Sequence, residues 1–315
     1  MYRIGVDLGG TNTVAGIVDE DLNVIAKYNI ETPQSTAYSD IIKGIYTASL
    51  EALKICGIGF ESVSNIGVCS PGTVNLSTGN VEFAGNLGFH NVPLRSELSK
   101  LFKRDVRILN DGNAIALGEA AQGAGKGKDS IVCIALGTGI GGGYCKGGKA
   151  MTGVNFAGAE FGHMVIEIGG KECKCGRRGC FEAYCSATAL KKQTIEKMLI
   201  NKDSLMWEYS QNSIKNVTAK TAFDCAKKGD SAALEVTQTY IRYLSCGITN
   251  LINIFQPDVF CISGGVSNEG DYLLNPVKKI VEAEHFSRYA KVQTIITTSK
   301  LKDSAGIIGA AISEE

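Results

Sequence analysis

Hydrophobic and polar positions alternate through the first thirty residues. Ile4–Asp7, Thr13–Val18 and Val24–Ile30 read as strands divided by short turns, which predicts three antiparallel neighbours. The period then lengthens. Ile41, Ile42, Ile45, Leu50 and Leu53 recur near helical spacing, predicting a helix over Asp40–Cys56 with Ser39 as its N-cap. Asn65–Cys69 returns to strand pattern, and Pro93–Lys103 reads as a helix that opens on proline. Val106–Leu109 is a short apolar strand running into Asn110-Asp111-Gly112-Asn113, and the alanine-rich Ala114–Gln122 reads as a helix.

A second cycle starts at Ser130. Ile131–Leu136, a glycine-rich turn and Gly141–Lys146 repeat the strand–turn–strand layout of Ile4–Val18, a sign of internal duplication. A long helix over Ser231–Asn253, a strand over Val259–Ser263 and a helix after Leu301-Lys302-Asp303 follow, while Asn201–Asn216 reads as a peripheral helix or insertion. The expected architecture is α/β with two similar layered lobes and ligands in the cleft between them. We expect the first lobe to comprise residues 1–110 plus 301–315 and the larger one residues 111–300, with the hinge between Asn110 and Gly125.

The 315 residues suffice for two domains, and 44% hydrophobic with 20% charged residues is the composition of a globular protein. Lys plus Arg equals Asp plus Glu at 32 each, so no net charge draws the chain to nucleic acid or to an anionic membrane surface. No basic-then-apolar leader precedes the first strand, and no apolar run reaches the roughly 18 residues of a membrane span. Eleven scattered cysteines, several within apolar strands, argue against an oxidised framework and for a reducing cytoplasm.

Four strings carry candidate chemistry. In Asp7-Leu8-Gly9-Gly10-Thr11-Asn12, glycines after a strand present N–H groups to phosphate oxygens, and Asp7 is placed to hold Mg²⁺; a plain hairpin turn would use the same Gly-Gly. Gly137-Thr138-Gly139-Ile140-Gly141-Gly142-Gly143 contains a G-x-G-x-x-G match, but no helix-forming segment follows it, so a second phosphate-cradling hairpin fits better than a dinucleotide fold. Asp111, at a strand end, is suited to accept a proton from an alcohol that attacks a phosphoryl group, with Asn110 beside it on a neighbouring hydroxyl; the same Asn-Asp-Gly also makes an ordinary turn and helix cap. His163 with Cys173, Cys175 and Cys180 offers four ligands for structural Zn²⁺, against a reading as free thiols or a redox pair. Glu160 and Glu182 flank these ligands as candidate acceptors for sugar hydroxyls, or as solvated loop residues.

Together these strings resemble the ROK family of repressors and sugar kinases, within the actin-like ATPase superfamily, over nearly the whole chain. The C-x-C-G-x-x-G-C-x-E string at Cys173–Glu182 is the most specific anchor, joined by Ser70-Pro71-Gly72, Gly158–His163, Ile262–Gly265 and Ala305–Gly309. The resemblance implies a two-domain kinase of the ribonuclease H-like, actin-like ATPase fold, acting as a homodimer or homotetramer on a small sugar. It makes Asp111 the base and sets Gly72, Asn110, Glu160, His163 and Glu182 on the hexose. Gly9, Gly10, Thr11, Asn12, Gly137, Thr138 and Gly139 would face the ATP phosphates, with Gly264 and Gly265 near the adenosine. His163, Cys173, Cys175 and Cys180 match the family's zinc ligands. It is nearest to the family's bacterial glucokinases, which act at the 6-hydroxyl, with N-acetylmannosamine, N-acetylglucosamine, allose or fructose as alternative substrates. A sugar-responsive repressor would need a helix-turn-helix segment before the first strand. One departure is Asn12, where many relatives carry Lys.

Overall fold

A computed structural model describes residues 1–34 and 37–313. The chain opens with three strands, β1 (Tyr2–Leu8), β2 (Asn12–Val18) and β3 (Val24–Glu31), then the helix α1 (Tyr38–Cys56) and β4 (Val63–Ser70). Three short strands follow, β5 (Thr73–Asn75), β6 (Asn80–Ala84) and β7 (Phe89–Val92), then α2 (Leu94–Phe102), β8 (Arg107–Asn110) and α3 (Asp111–Gln122). The second strand–turn–strand motif is β9 (Ser130–Leu136) and β10 (Ile140–Lys146), with β11 (Lys149–Ala150) beside it. Helices α4 (Glu182–Cys185), α5 (Ala187–Ile200), α6 (Leu205–Tyr209), α7 (Ala219–Ala226) and α8 (Ser231–Phe255) precede β12 (Val259–Ser263). The chain closes through α9 (Asp271–Glu284), β13 (Ile295–Thr298) and α10 (Ala305–Ala311).

The first sheet has the order β3-β2-β1-β4-β8, the second β11-β10-β9-β12-β13, and β5-β6-β7 form a small third sheet. β1, β2 and β3 pair antiparallel, whereas β4 adds parallel to β1 and β8 parallel to β4. By contact density the chain divides into two compact units. Unit 1 is Met1–Cys133, Gly142–Ala159 and Lys300–Glu315; unit 2 is Ile134–Gly141 and Glu160–Ser299. The helix α3 therefore packs with unit 1, and the expected hinge segment between Asn110 and Gly125 lies inside that unit.

In unit 1, α1 lays Ile41, Ile42, Ile45, Ala48, Ala52 and Leu53 on the first sheet. Each large aliphatic side chain so buried contributes about 1.5–3 kcal/mol. The cap of α1 differs from expectation: the helix begins at Tyr38 with Ala37 at the N-cap and no side-chain capping bond, so Ser39 lies within its first turn. The opposite face of the sheet is closed by α10, whose backbone sits directly on glycine. A Cβ on Gly67 would lie 1.8 Å from the Ala310 carbonyl oxygen, a contact that only glycine permits. In unit 2, α8 is the central helix; α5, α7 and α9 pack against it, with Tyr240 fully buried and bonded to the Cys185 carbonyl at 2.8 Å. The 201–216 segment forms α6 and a 3₁₀ turn at Ile214–Asn216, pinned by the Trp207 indole N–H to the Met198 carbonyl.

Candidate functional site

In unit 1 the strand register lines up the carboxyl ends of three parallel strands. Asp7 lies opposite Cys69, and Ser70 opposite Asn110. Open α/β sheets place their ligands at such ends. Asn110 caps α3: its Oδ1 accepts the Asn113 N–H at 3.1 Å, while its Nδ2 donates to the Gly72 carbonyl at 3.0 Å. Asp111 opens the helix and accepts the Gly112 N–H at 2.8 Å. Of the residues singled out in the sequence, Gly72 and Asn110 are thus joined by a hydrogen bond, and Asp111 follows Asn110 directly in the chain. Gly72 is fixed as glycine twice over, by a φ of 88° and by the Phe83 carbonyl oxygen, which would stand 2.0 Å from an added Cβ.

Asp7 is set deep at the same edge. Burial pushes its carboxyl above the ordinary value, the Cys69 thiol donating at 3.5 Å works against that, and the nearby charge of Asp303 raises it further. The Cys69 thiol is itself held well above its ordinary value, first by burial and then by the charges of Asp7 and Asp111. Asp7 and Asp111 therefore set negative charge beside one buried thiol, and Asp303 adds its charge at Asp7, an arrangement that a divalent cation would relieve. Sequence reasoning missed Cys69 and Asp303, because neither belongs to a motif and both reach Asp7 only through the fold.

The Gly9–Asn12 turn closes with the Gly9 N–H on the Asn12 carbonyl at 2.9 Å. It is held from β3 and the segment after it: Thr32 Oγ1 donates to the Gly9 carbonyl at 2.7 Å and Gln34 Nε2 to the Gly10 carbonyl at 3.0 Å. Those bonds use carbonyls on one side of the turn, while Thr11 and Asn12 stay exposed. Thr32 and Gln34 were also missed, since nothing in their own neighbourhood marks them.

In unit 2 the second turn, Gly137–Gly139, is braced from α4 and α5. Ala187 donates its N–H to the Gly137 carbonyl, and Thr188 Oγ1 donates to the Thr138 carbonyl, both at 2.8 Å. Glu182 Oε2 accepts the Ile140 N–H at 2.9 Å, and a Cβ on Gly139 would stand 2.2 Å from that same oxygen. Gly264, just past β12, packs on the Leu136 backbone beside this turn, and Gly265 opens the 3₁₀ turn that follows.

Glu182 also joins the turn to the cysteine cluster, with Oε1 3.9 Å from Cys173 Sγ. Glu160 lies close by; partial burial of its carboxyl raises it above the ordinary value, His163 opposes this and Glu182 adds to it. His163, Cys173, Cys175 and Cys180 converge so that their ligand atoms all lie within 4.8 Å of one another. Cys173 Sγ is 3.7 Å from His163 Nδ1, and Cys175 Sγ is 3.7 Å from Cys180 Sγ. Sulfur ligands about 2.3 Å from a tetrahedral ion stand roughly 3.8 Å apart, so the donor set and its spacing fit such an ion. With Nδ1 turned to the cluster, Nε2 of His163 is the ring nitrogen left to face a substrate. The backbone is shaped for this by the Cys173 N–H on the Arg177 carbonyl and the Gly176 N–H on the Cys173 carbonyl. The Arg177 backbone N–H lowers the Cys175 thiol, the guanidinium adding least, while burial pushes Cys180 up to about 12.

The ROK family profile matches residues 3–313. A glucokinase of Thermotoga maritima is 38% identical over 312 residues, spanning 99% of this chain and 96% of its own. An N-acetyl-D-glucosamine kinase of Yersinia pseudotuberculosis is 29% identical over 321 residues, spanning 99% of this chain and 98% of its own. Among solved structures, a ROK family glucokinase from Streptomyces griseus in complex with glucose and AMPPNP superposes with a TM-score of 0.85 at 31% identity, over 99% of this chain and 98% of that one.

Proposed function

The chain belongs to the ROK family and has the actin-like ATPase fold of that family's glucokinase structures, and from this premise we propose that it phosphorylates a hexose at the expense of ATP, with glucose as substrate and the 6-hydroxyl as acceptor. The observation that carries this reading is the Asn110–Gly72 hydrogen bond at the carboxyl ends of the parallel strands, with Asp111 next in the chain at the head of α3. Asp111 accepts the hydroxyl proton as the sugar oxygen attacks the γ-phosphorus and the bond to ADP breaks. Gly72, Asn110, Glu160, His163 and Glu182 are the groups assigned to the hexose. Carboxylates and a ring nitrogen aimed at paired hydroxyls discriminate strongly against sugars that cannot satisfy them. Gly9–Asn12 and Gly137–Gly139 offer backbone N–H groups to the ATP phosphates, and Gly264 and Gly265 take the adenosine side.

Asp7 is the residue placed to hold Mg²⁺, directly or through water, and the cation would neutralise charge on the phosphates. His163, Cys173, Cys175 and Cys180 would hold Zn²⁺, which would brace His163 and the segment leading into Glu182 without taking part in the transfer. Eleven free thiols among the described residues suit a reducing cytoplasm. A homodimer or homotetramer rests on the family resemblance alone, and no helix among the described residues is long and apolar enough to cross a membrane.

A coupled ADP-release assay over glucose, N-acetylmannosamine, N-acetylglucosamine, allose and fructose tests the reading. We expect release only with sugar, ATP and Mg²⁺ together, and fastest with glucose. The N-acetyl-D-glucosamine kinase relative supports a second reading, in which the N-acetylhexosamines give the highest kcat/KM. Sugar-independent ADP release would defeat both.

A further inference from the structure

The tip of the β6–β7 hairpin has no role in the kinase reading, yet the hairpin touches two groups that do, all within unit 1. At the end of β6 it packs on Gly72: an added Cβ there would stand 2.0 Å from the Phe83 carbonyl oxygen and 2.9 Å from Ala84 Cα. At the tip, Asn86 lies on the Gly9–Asn12 turn. A Cβ on Gly10 would meet Asn86 Nδ2 at 3.2 Å and Asn86 Cβ at 3.5 Å. Two residues of chain span at most about 7 Å, so Gly72 and the turn meet the hairpin within one short stretch. That stretch is anchored. Ala84 pairs with Phe89, both of them buried, and the Leu87 N–H donates to the Ala84 carbonyl at 3.1 Å. Gly85 and Asn86 are therefore the central residues of a β-turn. The Asn86 side chain is exposed, so its amide is open to a ligand.

We propose that Asn86 contacts the nucleotide during the transfer, its side-chain N–H donating to an oxygen of the terminal phosphate of ATP. Of the Asn86 atoms, Nδ2 comes nearest to the glycine turn assigned to the phosphates. A hydrogen bond from that donor to an anionic oxygen is stronger than one to a neutral hydroxyl. ADP lacks the terminal group, so the contact distinguishes ATP from ADP. It also helps to hold the phosphorus that the sugar oxygen attacks, on the side of the hairpin next to Gly72 and Asn110. The assignment to the terminal phosphate rests on the kinase reading; the seat of Asn86 on Gly10 does not.

Two substitutions separate the donor from the packing. Asn86→Leu keeps the bulk of the side chain on Gly10 and removes the donor, while Asn86→Asp keeps the shape and adds a negative charge. The test is calorimetric titration of each full chain with AMPPNP and, separately, with ADP, Mg²⁺ present throughout, beside a glucose titration. Asn86→Leu should weaken AMPPNP about tenfold and Asn86→Asp by more, with ADP and glucose binding unchanged and kcat/KM for ATP falling in step. The proposal is overturned if both nucleotides weaken equally, if neither weakens, or if glucose binding falls instead. A wild-type chain that phosphorylates no sugar, yet loses AMPPNP selectively on substitution, would sink the kinase reading and leave the phosphate contact standing. Glucose phosphorylation by variants that bind AMPPNP as the wild type does would do the opposite.

Discussion

The strand-end site of unit 1 and the cysteine knuckle of unit 2 assemble reactive side chains by opposite means. At the strand ends, Asp7, Cys69, Asn110 and Asp303 come from four distant stretches, and register does the work: parallel pairing sets Asp7 against Cys69 and Ser70 against Asn110. In the knuckle, three cysteines fall within eight positions and the backbone between them has turns and isolated bridges but no helix or strand of its own. One site is held by the sheet and would survive loss of any single polar contact in shape. The other depends for its shape on its own side chains and on any ion they hold. The difference teaches where precision is stored: in secondary structure around Asp111, in the side-chain cluster around Glu182.

Substitutions can break that contrast. Asp111→Asn should lower kcat by about 10²–10⁴-fold with the melting temperature and glucose affinity close to those of wild type, because the strand ends stay in register without the charge. Steady-state kinetics beside a glucose titration checks this, and joint loss of binding and turnover would show that the residue shapes the site instead. Cys180→Ser should do the reverse. Bound zinc, measured by metal analysis, falls below about half an equivalent, and kcat/KM for the sugar falls about 10–100-fold as Glu182 and His163 lose their support. Gly72→Ala tests whether the strand-end site tolerates backbone strain. The φ of 88° and the Phe83 carbonyl oxygen 2.0 Å from the new Cβ predict a loss of about 1–3 kcal/mol in urea unfolding.

The smallest effect is expected from Asp7→Asn, and its sign is opposite. Asp7 binds its proton more tightly in the folded chain than in the unfolded one, since burial and Asp303 raise it. Between the ordinary carboxylate value and the raised one, the folded state holds more protons, so stability falls as pH climbs through that window. Asn cannot ionise. The variant should therefore unfold at higher urea than wild type at neutral pH, with the gain shrinking as pH drops towards the ordinary value, while turnover declines. A gain of equal size at every pH would show that charge at position 7 is not the cause.

What the sequence revealed follows the same division. The knuckle was legible because its ligands are near neighbours and their spacing states the geometry. Both glycine turns were legible too, since a strand, a glycine pair and a second strand form a local pattern. Asp111 was legible as a strand-end carboxylate, though an ordinary helix cap reads the same. The rest was not local. Cys69 and Asp303 meet Asp7 through parallel pairing and through the packing of α10, which no periodicity encodes. Glu119 looked like one more polar residue on a helix, yet it is fully buried and accepts the N–H groups of Ala124 and Leu301 at 2.7 and 3.0 Å, tying the closing segment to α3. The short strands β5–β7 escaped notice because three- to five-residue strands leave too little pattern to detect.

The central claim is that the Asp111 carboxylate takes the proton of the attacking hydroxyl. A crystal structure of the wild-type chain with glucose and AMPPNP measures this directly. The account predicts one Asp111 carboxylate oxygen at about 2.6–3.2 Å from the sugar's 6-hydroxyl oxygen. A 6-hydroxyl bonded to some other titratable group, with Asp111 out of reach, would contradict it.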